Sequence, residues 1–186
     1  MITLPLSRFG CLLLVTSMAG CEGDSGPSET AVIDPNSLVD HAAWRALAAD
    51  ADPFPDRPAE VSCAASAYGI DAGAFGVYTG DCNYITASQN ILLPLVPGDV
   101  VEVEAGYGTL LSENPAEGHL AISLPGLPLL DVTAAIPGPP QYFVKEIPVT
   151  VSLPAGAPIL FHVHNHGPNS WRVLRVERKR PAPTTP

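Results

Sequence analysis

The stretch 97–105, Pro97-Gly98-Asp99-Val100-Val101-Glu102-Val103-Glu104-Ala105, decides the fold class of this 186-residue chain. It opens with three residues that favour a tight turn, because proline fixes one backbone angle and glycine accepts unusual ones. From Val101 onward it continues with apolar and acidic side chains in strict alternation. This period of two is typical of a β-strand with one face in a core and the other in water.

The same alternation recurs along the chain from residue 61 onward, and turn sequences such as Pro154-Ala155-Gly156 separate the segments. The predicted strands are 61–66, 75–79, 83–92, 100–105, 119–124, 129–134, 142–153, 159–166 and 171–178. Short strands at even spacing without helices between them favour two packed antiparallel sheets. We therefore predict an all-β domain over 61–180, an antiparallel β-sandwich of jelly-roll type with about eight strands.

Strand alternation also assigns faces to the side chains. In the strand 159–166 the apolar residues Ile159, Phe161 and Val163 share one face, which predicts that His162 and His164 lie on the outer face. The same argument places Leu120 and Ile122 inward, opposite His119. It also predicts that Leu174 and Val176 point into the core.

A different pattern precedes the strands, in residues 36–60. Asn36 or Ser37 can cap a helix, and the apolar residues that follow, Leu38, Ala42, Trp44 and Leu47, form a partial stripe. Three prolines, at 53, 55 and 58, then stop helical structure. This predicts one short N-terminal helix followed by a proline-rich loop.

The first residues have the layout of a secretory signal: Arg8, a short apolar run over 9–15, and then small residues. Met18-Ala19-Gly20-Cys21 resembles the bacterial lipobox, with Met in place of the usual Leu. This resemblance implies that residues 1–20 are a cleaved signal peptide and that Cys21 carries acyl chains such as palmitate. It places the protein on a membrane of the bacterial cell envelope, outside the cytoplasm. Glu22 follows the cysteine, and in this the chain resembles lipoproteins of the outer membrane.

Two further segments flank the domain. Residues 21–35 are rich in Gly, Ser, Pro and acidic residues, which predicts a flexible tether, and residues 181–186 predict a disordered tail. The apolar run near the start is shorter than the roughly 20 residues that a membrane-spanning helix needs. The expected membrane contact is therefore the lipid anchor.

The charge of the chain limits the classes of partner that it could bind. The formal net charge is −10, and more than half of the nine Lys and Arg residues lie near the C-terminal end. The rest of the body is strongly acidic, which argues against a nucleic-acid partner.

The nucleophile elbow Gly-x-Ser-x-Gly, the zinc motif His-Glu-x-x-His and the phosphate-binding loop are not found in the sequence. Enzymatic activity is left uncertain, and the sequence favours a non-catalytic protein.

The cysteines agree with export. Cys11 leaves with the signal and Cys21 takes the lipid, so Cys63 and Cys82 remain as a pair in an oxidising compartment. A disulfide closing this loop contributes roughly 3 kcal/mol in the chain-entropy model. Metal binding by the two thiolates is the weaker alternative, because a second pair of ligands is not evident.

The densest polar chemistry lies between Phe161 and Trp171. Imidazole and amide groups supply paired donors and acceptors, and an indole offers an apolar face, a combination that suits a polyhydroxylated ligand. The predicted ligand-binding residues are His162, His164, Asn165, His166, Asn169 and Trp171. The resulting hypothesis is a non-catalytic binding module for a glycan, another envelope component or a protein, and it resembles extracellular β-sandwich modules in architecture only.

A competing hypothesis is a zinc or copper site, in a metal-binding protein or a metal-dependent enzyme. Its ligands would be His162, His164 and His166, with His119 from another strand. His-x-His on a strand resembles part of the cupin metal motif, but the predicted faces put these histidines outside the sandwich. Glu102 or Glu104 complete such a site only if their strand neighbours the histidines.

Two further interpretations stay open. Asp50, Asp52 and Asp56 form an acidic cluster in the proline-rich loop, and calcium favours oxygen ligands of this kind. In the second interpretation, the histidine strand binds nothing and is a polar outer face that ends in a structured turn. In that case the protein is a purely structural envelope lipoprotein.

Overall fold

The computed structural model describes residues 34–179, which fold into two antiparallel five-stranded sheets. The strands are β1 Arg45–Ala46, β2 Tyr68–Asp71, β3 Ala74–Tyr78, β4 Tyr84–Asn90, β5 Val100–Tyr107, β6 Ala116–Leu124, β7 Leu127–Ile136, β8 Gln141–Pro148, β9 Pro158–His164 and β10 Ser170–Lys179. Sheet I has the order β1-β4-β9-β6-β7, and sheet II has the order β2-β3-β10-β5-β8. The predicted cleavage site, Cys21, most of the tether and the tail lie outside the described residues.

The predicted all-β sandwich is confirmed, but it has ten strands rather than about eight. Two short strands were missed: β1, which has two residues, and β2, where Gly69 has a φ of 152°. The predicted strand at 61–66 is wrong. That segment holds an isolated bridge at Cys63 and the start of a 3₁₀ turn at Ala65–Ala67.

The core lies between the sheets and follows the predicted alternation. Ile159, Phe161 and Val163 of β9 are fully buried, as are Leu120 and Ile122 of β6. The prediction for Leu174 is wrong, because its side chain is 39% exposed. A β-bulge between Val173 and Arg175 shifts the register of β10 against β5, so that Val173 and Val176 both face inward.

The predicted N-terminal helix is also wrong. Residues 36–47 form an irregular segment with turns near Asn36 and at His41–Ala42 and the short strand β1, and a 3₁₀ turn follows at Ala49–Ala51. The amide of Leu38 donates to Val176 of sheet II, and the amide of Leu47 donates to Thr86 of sheet I. Trp44 packs into the core against Phe75, with ring centroids 5.4 Å apart. Long-range hydrogen bonds and indole burial therefore outweigh the local helical pattern.

The predicted disulfide between Cys63 and Cys82 is confirmed. It fastens the end of the proline-rich loop to the residues just before β4. Within residues 34–179, none of the helices has the length and apolar character that would let it cross a membrane.

Candidate functional site: a histidine–aspartate cluster beside a cleft

Three histidines meet on the outer face of sheet I. The strands β6 and β9 are neighbours, and their register sets His119 opposite His164 and Ala121 opposite His162. Because alternate residues of a strand share a face, His162 and His164 project outward together. The rings of His119 and His162 lie with their centroids 4.9 Å apart. The structure thus brings together three of the four predicted metal ligands.

A loop covers this face, and the sequence did not predict the cover. We call residues 47–62 the covering loop. Its Phe54 ring stacks on the His162 ring at a centroid distance of 4.0 Å and an interplanar angle of 14°. His162 is 0% exposed as a result. The predicted polar outer face is therefore a buried interface at His162 and partly open only at His119 and His164.

Asp56 of the covering loop contacts all three histidines through one carboxylate oxygen. Its Oδ2 lies 2.9 Å from Nδ1 of His119, 3.3 Å from Nε2 of His162 and 3.3 Å from Nδ1 of His164. We call these four residues the His–Asp cluster. The sequence showed Asp56 only as part of an acidic loop, and nothing local indicated that its partners stand 63 to 108 residues away.

Polar side chains support two of the histidines from the side away from Asp56. Nδ1 of His162 lies 2.9 Å from the hydroxyl of Thr86, and that hydroxyl donates to Asp52 at 2.9 Å. Asp52 also accepts a hydrogen bond of 2.7 Å from the Tyr84 hydroxyl. On the other side, Nε2 of His119 lies 3.1 Å from Oδ1 of Asp131. These contacts fix the orientation of both rings.

Burial and charge act on the cluster in opposite directions. Burial would raise the pKa of Asp56, but the hydrogen bond from His119 and the charges of His162 and His119 outweigh it and lower the pKa to about 2. Burial lowers the pKa of His162 to about 4, against the raising effect of the Asp56 charge. Asp56 is therefore ionised and His162 neutral at neutral pH.

This depressed pKa predicts an acid-sensitive fold in the presence of a chelator. The pKa of His162 moves from 6.5 to about 4 on folding. Below pH 6.5 the unfolded chain therefore takes up a proton that the folded chain refuses. Stability is complete above pH 6.5 and is lost as the pH falls toward 4. Urea unfolding should give a free energy lower by on the order of 2 kcal/mol near pH 5 than near pH 7.5.

Two variants locate this effect. The groups that face His162 are Asp56, His119, Asp52 through Thr86, and Tyr84. His162→Asn keeps a hydrogen-bonding atom near Thr86 but does not titrate, so it should flatten the profile. His166→Ala removes an exposed histidine of the same chain segment and should leave the profile unchanged. A wild-type profile that is already flat between these pH values would contradict the prediction.

An open cleft of about 940 Å³ lies next to the cluster. It shares Asp56, His119 and His164 with the cluster. Its further polar lining comes from Ser112, Asn114, Glu117, Thr133 and His166. Hydroxyl, amide, carboxylate and imidazole groups thus converge on one concave surface.

The predicted ligand-binding residues separate into two groups. His162, His164 and His166 lie on the outer side, with the exposed His166 ring 5.3 Å from that of His164. The other three, Asn165, Asn169 and Trp171, are at most 2% exposed. Alternation along β9 explains the burial of Asn165, which directly follows its last residue, whereas Asn169 lies in the turn and Trp171 in β10. The Trp171 indole is buried, which counts against sugar stacking on it.

Asn165 and Asn169 instead tie the turn that follows β9. The Asn165 amide donates to the hydroxyl of Thr79, and the Asn169 amide donates to the carbonyl groups of Leu111 and His166. The Asn169 side-chain oxygen accepts from the amide of Leu111. The NH₂ groups of both side chains are therefore bonded inside the protein, and they shape the turn that carries His166.

The other acidic residues that the sequence suggested as ligands do not join the cluster. Asp50 is exposed, Asp52 bonds Tyr84 and Thr86, and only Asp56 reaches the histidines, so the three loop aspartates do not form a common oxygen site. Glu102 and Glu104 belong to sheet II. There they pair with Lys179 and Arg175, respectively.

Comparison with known proteins identifies no family: no family model matches the chain, and no curated protein matches its sequence. Solved structures share the sandwich architecture. The xylan-binding module CBM15 is 12% identical with a TM-score of 0.43, covering 77% of this chain and 96% of the module. TmCBM61, in complex with β-1,4-galactotriose, is 11% identical with a TM-score of 0.41, covering 78% and 99%.

A family 11 carbohydrate-binding module from Clostridium thermocellum, in complex with a mixed-linked tetrasaccharide, is 13% identical with a TM-score of 0.33. That match covers 78% of this chain and 95% of the module. Likeness at this level carries no argument about function. Function is therefore argued from the site alone.

Proposed function

We propose that this chain is a lipid-anchored protein of the bacterial cell envelope whose β-sandwich is a non-catalytic binding module. Its ligand site is the cleft beside the His–Asp cluster. The observation that carries this proposal is the cleft itself, with a volume of about 940 Å³ and a polar lining. Ligand pockets in proteins usually measure about 300–1,000 Å³. The cleft falls within that range.

The lining favours a polyhydroxylated ligand such as a glycan. Ser112 and Thr133 supply hydroxyl groups, Asn114 an amide and Glu117 a carboxylate. Together with the His166 imidazole these groups both donate and accept hydrogen bonds, as sugar hydroxyls do. The proposed site keeps His164 and His166 from the sequence prediction. These cleft residues replace the other four predicted residues: His162, Asn165, Asn169 and Trp171.

Binding is favoured over proton-transfer catalysis by the two perturbed groups. A general acid or base works best with a pKa near the operating pH. The pKa of Asp56 is lowered to about 2 and that of His162 to about 4. Neither is matched to proton transfer at neutral pH.

The anchor rests on the lipobox-like Met18-Ala19-Gly20-Cys21. Acylation of Cys21 and residence in the outer membrane, inferred from Glu22, stay predictions. The Cys63–Cys82 disulfide supports this location, because structural disulfides persist in oxidising compartments.

The test is glycan-array screening of the full chain, purified without a polyhistidine tag, followed by calorimetric titration with the glycan that gives the strongest signal. Glu117→Ala and Asn114→Ala change exposed residues of the cleft and should leave the fold intact. Each should weaken binding by about ten-fold or more, as expected for a lost hydrogen bond to a ligand.

Glu113→Ala is the matched control, since Glu113 is an exposed glutamate of the same segment that does not line the cleft. It should bind as wild type does. A chain that binds no glycan above background, or cleft variants with wild-type affinity, would overturn the proposal and favour a structural envelope lipoprotein or a protein ligand.

A further inference from the structure

We propose that Asp56, His119 and His162 bind a divalent transition-metal ion of the zinc type, with His164 beside the fourth position. The ligand atoms of these three residues lie within 4.8 Å of one another. The residue set differs from the sequence hypothesis, because Asp56 enters and His166 leaves. This proposal stands whether or not the cleft binds a glycan.

The spacing around Asp56 matches that of ligands around one ion. With metal–ligand bonds of about 2.1 Å, adjacent atoms of a tetrahedral site lie about 3.4 Å apart. Oδ2 of Asp56 is 3.3 Å from Nε2 of His162 and 2.9 Å from Nδ1 of His119. A shift of a few tenths of an ångström would place an ion between them.

Proton accounting at His162 favours a cation next to the Asp56 carboxylate. The Thr86 hydroxyl gives its proton to the Asp52 carboxylate, so it must accept a hydrogen bond from Nδ1 of His162. A neutral imidazole carries one proton, and His162 is fully buried, which disfavours the charged form. Its Nε2 lone pair then faces the carboxylate of Asp56. Two acceptors in this arrangement repel each other unless a positive ion lies between them.

His119 also lies between two carboxylates. Its Nε2 faces Asp131 and its Nδ1 faces Asp56, so the ring satisfies both either as a charged imidazolium or, when neutral, with a cation on one side. A metal on the Asp56 side takes the Nδ1 lone pair and leaves the N–H for Asp131. Metal-bound histidines commonly donate their second N–H to a carboxylate, carbonyl or water in this way.

The carboxylate has spare binding capacity. Oδ1 of Asp56 is buried and has no hydrogen-bond partner within residues 34–179. Asp56 and His119 also line the cleft, so an ion bound there is reachable from solvent. His164, whose Nδ1 lies 3.3 Å from Asp56, stands at the same opening.

Donor chemistry sets the class of metal. Imidazole ligands suit zinc, copper, nickel and iron, whereas calcium and magnesium prefer all-oxygen sites. Two imidazoles and one carboxylate therefore select a transition metal. Zinc is the probe of choice, and calcium is the negative control.

The experiment uses the full chain without a polyhistidine tag, stripped with a chelator and titrated with Zn²⁺ by calorimetry, with elemental analysis of the dialysed product. One ion per chain is expected. Asp56→Asn and His162→Ala should weaken binding by at least about 10–100-fold, because losing even a residue that only hydrogen-bonds to a metal ligand typically costs that much. Co²⁺ should give the intense visible absorption of a tetrahedral site in wild type but not in Asp56→Asn or His162→Ala.

His166→Ala is the matched control, because His166 is an exposed histidine outside the trio, and it should bind Zn²⁺ as wild type does. Asp56→Asn lies in a loop and tests the site even if His162→Ala does not fold. The proposal is overturned if wild type binds no stoichiometric Zn²⁺, binds Ca²⁺ equally well, or loses Zn²⁺ only in His166→Ala. Zinc binding without glycan binding would overturn the proposed function alone.

Discussion

Trp171→Ala is expected to lower the free energy of unfolding by about 3–5 kcal/mol, the range for removing a buried aromatic side chain. Trp171 is 0% exposed, and its ring centroid lies 4.5 Å from that of Tyr107. A Cβ on Gly118 would approach the indole to 2.8 Å, which shows how closely this side chain is enclosed. Urea unfolding monitored by circular dichroism measures the loss.

Tyr142→Ala provides the exposed counterpart on the same sheet. Tyr142 is 56% exposed and should change stability by less than about 1 kcal/mol. Trp171→Phe should fall between the two, because it keeps an aromatic ring in the core. If Trp171→Ala unfolds with wild-type stability but abolishes ligand binding, the indole is a ligand platform and the placement described above is wrong.

Asn169→Asp is expected to destabilise the protein by about 3 kcal/mol or more, because each buried group left without a partner costs about 1–3 kcal/mol. The Asn169 amide donates at 3.1 Å to the carbonyl of Leu111 and at 3.0 Å to that of His166. Aspartate has nearly the same shape but presents an acceptor to both carbonyls. It also introduces a charge at a position that is 2% exposed.

Asn114→Asp makes the same chemical change at an exposed position and should be nearly neutral for stability. Thermal unfolding of both variants at neutral pH distinguishes the two positions. An Asn169→Asp variant as stable as Asn114→Asp would mean that the side chain of residue 169 turns outward and is available to a ligand.

The sequence predicted the parts of the fold that depend on local pattern. Alternation in residues 159–164 placed Phe161 in the core and His162 and His164 on the outer face, and both assignments agree with the structure. The remaining pair of cysteines gave the disulfide. These features follow from side-chain period and composition, which a single sequence displays directly.

Only part of the candidate site could be predicted from the sequence: the histidines were named, but their contact with Asp56 was not. The three histidines come from two strands, β6 and β9, and no local pattern reveals that these strands are neighbours. Asp56 comes from a loop that packs on the histidines although 63 to 108 residues of sequence separate it from them. Trp171 was predicted to lie on a ligand surface because it closes the polar segment that begins at Phe161, whereas its place in β10 buries it. Strand order and loop placement are set by tertiary packing, which local propensity does not encode.

Both ends of the covering loop are attached at or next to β4. Upstream, Ala46 pairs with Ala87 of β4, and downstream Cys63 is joined to Cys82, just before β4 begins. Closing a short loop at both ends restricts the volume that its middle can explore. The conformational entropy of presenting the Asp56 carboxylate is therefore lost when the chain folds, and an incoming ion or ligand meets a group already in position.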